Sequence, residues 1–271
     1  MRERAFAQGA GSCKAKSEGD ARAAQLCFAA LSASREVRQS DSAAISSRPL
    51  RQHHGAVFAQ GMLSPGESSA DYLTRHSGMQ RVPSPRLEMF IKRDFLTQGE
   101  CDALIALIEA EHRPSTIANH NGDDAFRTSE TCDMDHEHPA VAALDAKLAQ
   151  VSGIDPIYGE RLQGQRYEVG QEFKAHTDYF EPDHADYQTY CAVSGQRTWT
   201  FMVYLNDVEA GGATRFKAID KIVQPERGKL LAWNNRHADG ALNAATLHHA
   251  MKVRKGRKYV ITRWYRERPW G

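Results

Sequence analysis

Apolar positions along this chain begin to repeat only after about residue 85. Leu87, Met89 and Ile91 alternate with Glu88 and Lys92, the period of two expected of a strand, although Phe90 interrupts it. Thr97-Gln-Gly-Glu100 has the form of a capping box, with Leu96 at the staple position before it. Cys101, Leu104, Ile105, Leu107 and Ile108 then fall largely on one side of a helix. A second helix is predicted from Pro139, a favoured first-turn residue. Its apolar positions Val141, Leu144, Leu148 and Val151 step by three and four, and Gly153 ends it. Beyond that point the chain changes to short apolar runs separated by turn residues. Residues 162–169, 173–180, 198–205, 213–216, 229–233, 247–253 and 258–265 read as strands. Glu209-Ala-Gly-Gly212, Arg227-Gly228, Asn234-Asn235 and Lys255-Gly-Arg257 are the turns between them. Two helices followed by about seven or eight strands imply an α+β fold with a sandwich or jelly-roll core and N-terminal supporting helices. Residues 181–196 are long, polar and Tyr-rich for a plain connection, and form a candidate lid.

Residues 1–84 lack such a pattern. The first 51 are rich in Ala, Ser, Arg and Gln, and 22–31 is the one stretch that reads as a short amphipathic helix. No apolar core of a signal peptide follows the basic start, and Glu18, Asp20, Glu36 and Asp41 argue against a transit peptide. Ser64-Pro-Gly and Val82-Pro-Ser-Pro-Arg86 are linker punctuation. The expected organisation of the 271 residues is a disordered extension over 1–84 and one domain over 85–271. A net charge of +1 gives no reason to expect nucleic acid or an anionic membrane as partner. No apolar run approaches the ~20 residues that span a bilayer. The five cysteines are scattered and contain no C-x-x-C, as for reduced thiols in a cytoplasmic protein.

The chemistry-bearing motif is His-x-Asp, which occurs as His176-Thr-Asp178, His184-Ala-Asp186 and His237-Ala-Asp239. Only the first lies in a strand-like run. Side chains two apart on a strand share a face, so His176 and Asp178 can hold two cis positions of one metal ion. The acidic, His-rich patch Asp133-Met-Asp-His-Glu-His138 reads as a solvated lead into the second helix. A third metal ligand must come from a distant strand, and His248 and His249 are both candidates. In the last strand, alternation puts Lys258, Val260, Thr262 and Trp264 on one face. A lysine buried among apolar neighbours calls for an anion, such as a dicarboxylic acid.

With these residues in place, the region from about Arg86 onward resembles the prolyl 4-hydroxylase-like branch of the Fe(II)/2-oxoglutarate dioxygenases. The matching pieces are Tyr167, Gly170 and His176-Thr-Asp178, the block at 197–216, and the block at 247–270. The resemblance implies a double-stranded β-helix, with His176, Asp178 and His248 binding Fe(II) and Lys258 pairing with the distal carboxylate of 2-oxoglutarate. It selects His248 over His249, and it places the hydroxyls of Tyr167 and Thr200 near the co-substrate. It also implies O2 as co-substrate, succinate and CO2 as co-products, and L-ascorbate as rescuing reductant. Lys258 in place of an arginine anchor favours prolyl hydroxylases over nucleic-acid demethylases. The expected substrate is proline in a peptide or protein; a free amino acid or other small molecule is the alternative, and a non-catalytic metal-binding jelly roll a remote one. Ala250 and Lys252 depart from the usual Gly and Pro, which touches the strand after the ligand rather than the metal set. Residues 181–196 and the stretch around Arg127-Thr-Ser129 are expected to set specificity.

Overall fold

The computed structural model describes residues 68–116, 125–184 and 187–270. In chain order they begin with helix α1 (Ser69–Thr74), strands β1 (Met79–Arg81) and β2 (Met89–Lys92), helix α2 (Gln98–Glu111), β3 (Arg113–Pro114), β4 (Glu130–Asp133) and helix α3 (Pro139–Ser152). They continue with β5 (Gln163–Tyr167), β6 (Phe173–His176), α4 (Tyr187–Cys191), β7 (Arg197–Tyr204), β8 (Ala210–Gly211), β9 (Thr214–Phe216) and β10 (Lys221–Val223). The last strands are β11 (Leu230–Asn234), β12 (His248–Ala250), β13 (Val253–Lys255) and β14 (Lys258–Arg266).

Antiparallel pairing builds a large sheet of order β1-β2-β11-β7-β14-β5-β4-β3 and a smaller one of order β10-β9-β12-β6. The central strands β7 and β14 are buried on both faces, which is why their sequences read as nearly continuous apolar runs. Alternation sends Trp199, Phe201, Val203, Tyr259, Ile261 and Tyr265 to one core and Met202, Tyr204 and Val260 to another. The first core is closed by α2 and α3, through Leu104, Ile108, Leu144 and Leu148. Each of these buried side chains stabilises by roughly 1.5–3 kcal/mol. The second core lies between the sheets, where Phe216, Val223 and Ala250 of the small sheet meet Leu231 and Trp233 of the large one. Phe90 breaks the alternation of β2 for the same reason: Met89 belongs to the inter-sheet core and Phe90 to the helix-side core.

The helix signals in the sequence match the backbone. Thr97 and Glu100 form the reciprocal capping box at the start of α2. Pro139 opens α3, and Gly153 ends it at φ 68°. His138, in the acidic patch, is the N-cap of α3, its side chain accepting from the Ala140 amide. The start of the body differs from expectation. Among the described residues, α1 and β1 precede Arg86. Ala70 and Leu73 are buried in the helix-side core, and β1 pairs with β2. A six-residue helix shows only one turn of apolar spacing, too little to register as a period. The expectations for residues 1–67, including the short helix at 22–31, lie outside the described residues. Residues 247–253 are two strands rather than one, interrupted where the Met251 amide turns to the Ala213 carbonyl (2.8 Å).

Candidate active site

Antiparallel pairing of β6 with β12 sets His176 directly opposite His248. Their rings approach to 4.3 Å between centroids. Asp178 completes a cluster in which three ligand atoms all lie within 4.8 Å of one another, the only such His/Cys/Asp/Glu group among the described residues. The separation of His176 Nε2 and Asp178 Oδ1 is 3.9 Å.

The strand argument holds for His176 but not for Asp178. β6 ends at His176, short of the predicted 180, and Asp178 stands in the bend after it. Hydrogen bonds, not strand alternation, hold it there. The Thr200 hydroxyl donates to Asp178 Oδ2 at 2.7 Å, and Arg197 Nη1 donates to the Asp178 carbonyl at 3.3 Å.

Both imidazoles are oriented from behind. Nδ1 of His176 lies 2.7 Å from the Lys174 carbonyl, and Nδ1 of His248 lies 2.9 Å from the Thr246 carbonyl. Those bonds place the proton on Nδ1 and leave each Nε2 lone pair for a metal. Burial, and then the neighbouring His248, lower the His176 pKa to about 3, so the ring is neutral at physiological pH. Burial pushes the Asp178 carboxyl upward, but His248, His176 and Arg197 outweigh it and hold the group below its ordinary range. Two imidazoles and a carboxylate are the donor set that suits Fe(II) with open positions.

Register places the other predicted residues on the inner face of the large sheet. Trp264 pairs with Thr200, Thr262 with Met202 and Val260 with Tyr204, while Lys258 pairs with Tyr167 on β5. Thr200 and Lys258 therefore share one face, with Thr200 at the end near the histidines. Lys258 is 1% exposed, and no carboxylate among the described residues pairs with it. Its ammonium sits over the rings of Tyr167 (4.9 Å) and Tyr204 (5.5 Å), and burial lowers its pKa from 10.5 to about 7. The Tyr167 hydroxyl donates to Gln165 Oε1 at 2.8 Å. Thr200, expected near the co-substrate, directs its hydroxyl to Asp178 Oδ2. His249 faces away and pairs with Glu172 at 2.8 Å. Of the other His-x-Asp pairs, His237 and Asp239 lie in an exposed turn, and Asp186 is outside the described residues.

A cavity of about 710 Å³ opens onto His176 and Asp178. Phe173, Phe180, Tyr190, Trp264 and Trp270 supply much of its apolar wall. Arg127 also lines it, as expected of that stretch, and its Nη2 donates to Thr131 and Gln163 (3.1 Å each). The sequence reading missed a buried ion group in this wall. Arg197 forks onto Glu160 at 2.6 and 2.7 Å, and Arg266 adds a third bond at 3.1 Å. The Arg197 guanidinium is stacked between Trp264 (4.1 Å) and Phe180 (4.9 Å). Residues 181–196 contain α4 and contribute Glu181, His184, Tyr187 and Tyr190 to the cavity. The base of this candidate lid is pinned. Gln196 exchanges two hydrogen bonds with the Phe180 backbone, and Arg268 caps the carbonyls of Cys191, Ala192 and Val193.

Residues 162–266, the span containing Tyr167, His176, Asp178, Thr200, His248 and Lys258, match the model of the 2OG-Fe(II) oxygenase superfamily. Probable prolyl 4-hydroxylase 9 of Arabidopsis thaliana is 30% identical over 197 residues, covering 64% of this chain and 67% of that protein. The chain belongs to the prolyl 4-hydroxylase-like family of Fe(II)/2-oxoglutarate-dependent dioxygenases. Prolyl 4-hydroxylase subunit alpha-1 of Homo sapiens is also 30% identical, over 80% of this chain, which spans only 39% of that subunit's length. Among solved structures, the 2OG complex of a viral collagen prolyl hydroxylase from Paramecium Bursaria Chlorella virus-1 superposes with a TM-score of 0.53 at 28% identity. That match covers 66% of this chain and 95% of the viral one. The α+β fold, with its double-stranded β-helix, is thus the family's, and the protein is an enzyme whose chemistry uses Fe(II), 2-oxoglutarate and O2. Among the described residues no helix is long and apolar enough to cross a membrane.

Proposed function

We propose that this dioxygenase hydroxylates an unactivated C–H bond of proline in a peptide or protein, with His176, Asp178 and His248 as the Fe(II) ligands and Lys258 as the anchor of 2-oxoglutarate. The observation that carries the cofactor assignment is the unpaired ammonium of Lys258, buried on the same sheet face that leads to the three metal-ligating side chains. A buried cation of this kind is unfavourable until an anion joins it, and a dicarboxylate meets that need with a charge-assisted hydrogen bond. Tyr167 packs its ring under the ammonium, 4.9 Å from it, on that same face. Held by these three side chains, Fe(II) would supply the activation of O2; 2-oxoglutarate would give two of the four electrons and the substrate C–H bond the other two, leaving succinate, CO2 and a hydroxyl group on the substrate.

The chain's own part is placement and exclusion of water. The carbonyls of Lys174 and Thr246 fix the two imidazoles, and Thr200 fixes the carboxylate. The inter-sheet core seals the site from behind with Phe216 and Trp233 packed around His248.

For a peptide substrate the support is the names of the relatives together with the cavity. Its volume exceeds what a free amino acid fills, and its aromatic faces suit the extended, ring-bearing surface of a proline-containing segment. Ascorbate is assigned as the reductant that restores enzyme after turnover without substrate. The buried free thiols of Cys101, Cys132 and Cys191 fit a reducing, cytoplasmic setting. The test is a succinate-release screen over proline-containing peptides, free amino acids and nucleic acid, with mass analysis of the product. A 16 Da gain on peptidyl proline, coupled to succinate and abolished by His176→Ala, is expected. Coupled turnover confined to a free amino acid would overturn the peptide assignment.

A further inference from the structure

The sequence marks Asn234-Asn235 only as a turn, and the reaction described above gives Asn235 no role. The structure surrounds it with unusual constraint. Asn235 is fully buried. Its amide nitrogen donates to the Thr198 carbonyl at 2.7 Å, and its carbonyl accepts from the Asn243 amide at 2.9 Å. Its side-chain Nδ2 donates to Thr200 Oγ1 at 3.0 Å. Its Oδ1 is buried and finds no partner among the described residues, an arrangement unfavourable for stability.

We infer that Asn235 is a positioning residue for the metal carboxylate, acting through Thr200. A hydroxyl carries one proton and can both donate and accept. With the Asn235 amide donating to its oxygen, the Thr200 hydroxyl keeps its proton for Asp178 Oδ2, 2.7 Å away. That bond occupies Oδ2 and turns Oδ1, the oxygen 3.9 Å from His176 Nε2, toward the metal position. Because Asp178 lies beyond the end of β6, no ladder hydrogen bond fixes its backbone, and the Asn235–Thr200 pair sets the direction of its side chain. β7 and β11 hold the pair in place: Thr200 is opposite Trp233, two residues before Asn235.

The inference rests on Asp178 being a metal ligand, and the experiment separates the two. Metal-free protein is titrated anaerobically with Co(II), whose visible absorption reports both affinity and coordination. Asn235→Ala and Thr200→Val are each expected to weaken Co(II) binding about tenfold or more. Thr200→Ser, which keeps the hydroxyl, is expected to bind like wild type. The double variant Asn235→Ala/Thr200→Val is expected to be no weaker than Thr200→Val alone, because both changes remove the same bond. If circular dichroism shows that Asn235→Ala does not fold, Asn235→Leu, which refills the space, takes its place in the same cycle. Wild-type affinity and spectrum in the Asn235 variant, or additive losses in the double variant, would overturn the inference while leaving the metal site intact. A wild-type protein that takes up no Co(II) would overturn the metal assignment, and the inference with it.

Discussion

Replacing Lys258 with methionine should stabilise the protein while disabling its co-substrate site. The ammonium is buried without a counter-ion among the described residues, and burial lowers its pKa from 10.5 to about 7. The unfolded chain therefore binds more protons than the folded one between about pH 7 and 10.5, so stability rises with pH across that window. Below it both states are charged and the folded state bears the full penalty. At about 1.4 kcal/mol for each pH unit, that penalty is about 5 kcal/mol. The contacts with the Tyr167 and Tyr204 rings offset part of it. Methionine fills much the same space without charge. The variant should melt higher than wild type at pH 6.5, and the gap should close steadily as the pH approaches 10. 2-Oxoglutarate should reverse the order: it raises the wild-type melting temperature, most below pH 7 where Lys258 is protonated, and leaves Lys258→Met unmoved. Loss of the charged partner is worth about 3–5 kcal/mol of binding, more than two orders of magnitude in Kd. Differential scanning fluorimetry across pH, with Fe(II) replaced by Mn(II) to prevent turnover, measures both effects. A variant less stable than wild type at pH 6.5 would refute the unpaired-cation reasoning.

Three further outcomes follow from the packing. His248→Ala should lose metal binding and succinate formation, whereas His249→Ala should keep both, because His249 pairs with Glu172 on the opposite face; metal titration of the two variants checks this. Deleting residues 1–84 should lower the melting temperature by several degrees, because Leu73 and Ala70 are buried in the helix-side core and β1 pairs with β2; differential scanning fluorimetry checks this. Gly228→Ala should destabilise by more than about 2 kcal/mol in a urea titration: φ is +71°, and an added Cβ would stand 2.2 Å from the Leu96 carbonyl oxygen, against which the turn is packed.

What could be read from the sequence was what a single stretch of chain encodes. Alternation along 258–264 put Lys258 on the face with Val260, and the structure finds it there because β14 keeps its register from Lys258 to Tyr265, the shift coming only at Arg266. The capping box and Gly153 are local signals and gave the helix ends directly. The Glu160, Arg197 and Arg266 group was not legible. Its members come from three separate segments, and each is indistinguishable from a solvated charge until β7 and β14 are paired.

Asp178 shows a subtler limit. The alternation argument reached the right residue through a strand that stops two positions earlier. His176 and Asp178 converge because Thr200, on another strand, holds the carboxylate in a bend. The two-residue spacing therefore does not itself set the geometry; it delivers a short carboxylate to the place where a hydroxyl from the large sheet can catch it. In an exposed turn the same spacing, at His237 and Asp239, has its carboxylate accept from the Ala241 amide instead, and brings no third ligand into range among the described residues. A His-x-Asp match thus carries chemical information in proportion to what the opposite sheet presents to it, and here that is Thr200.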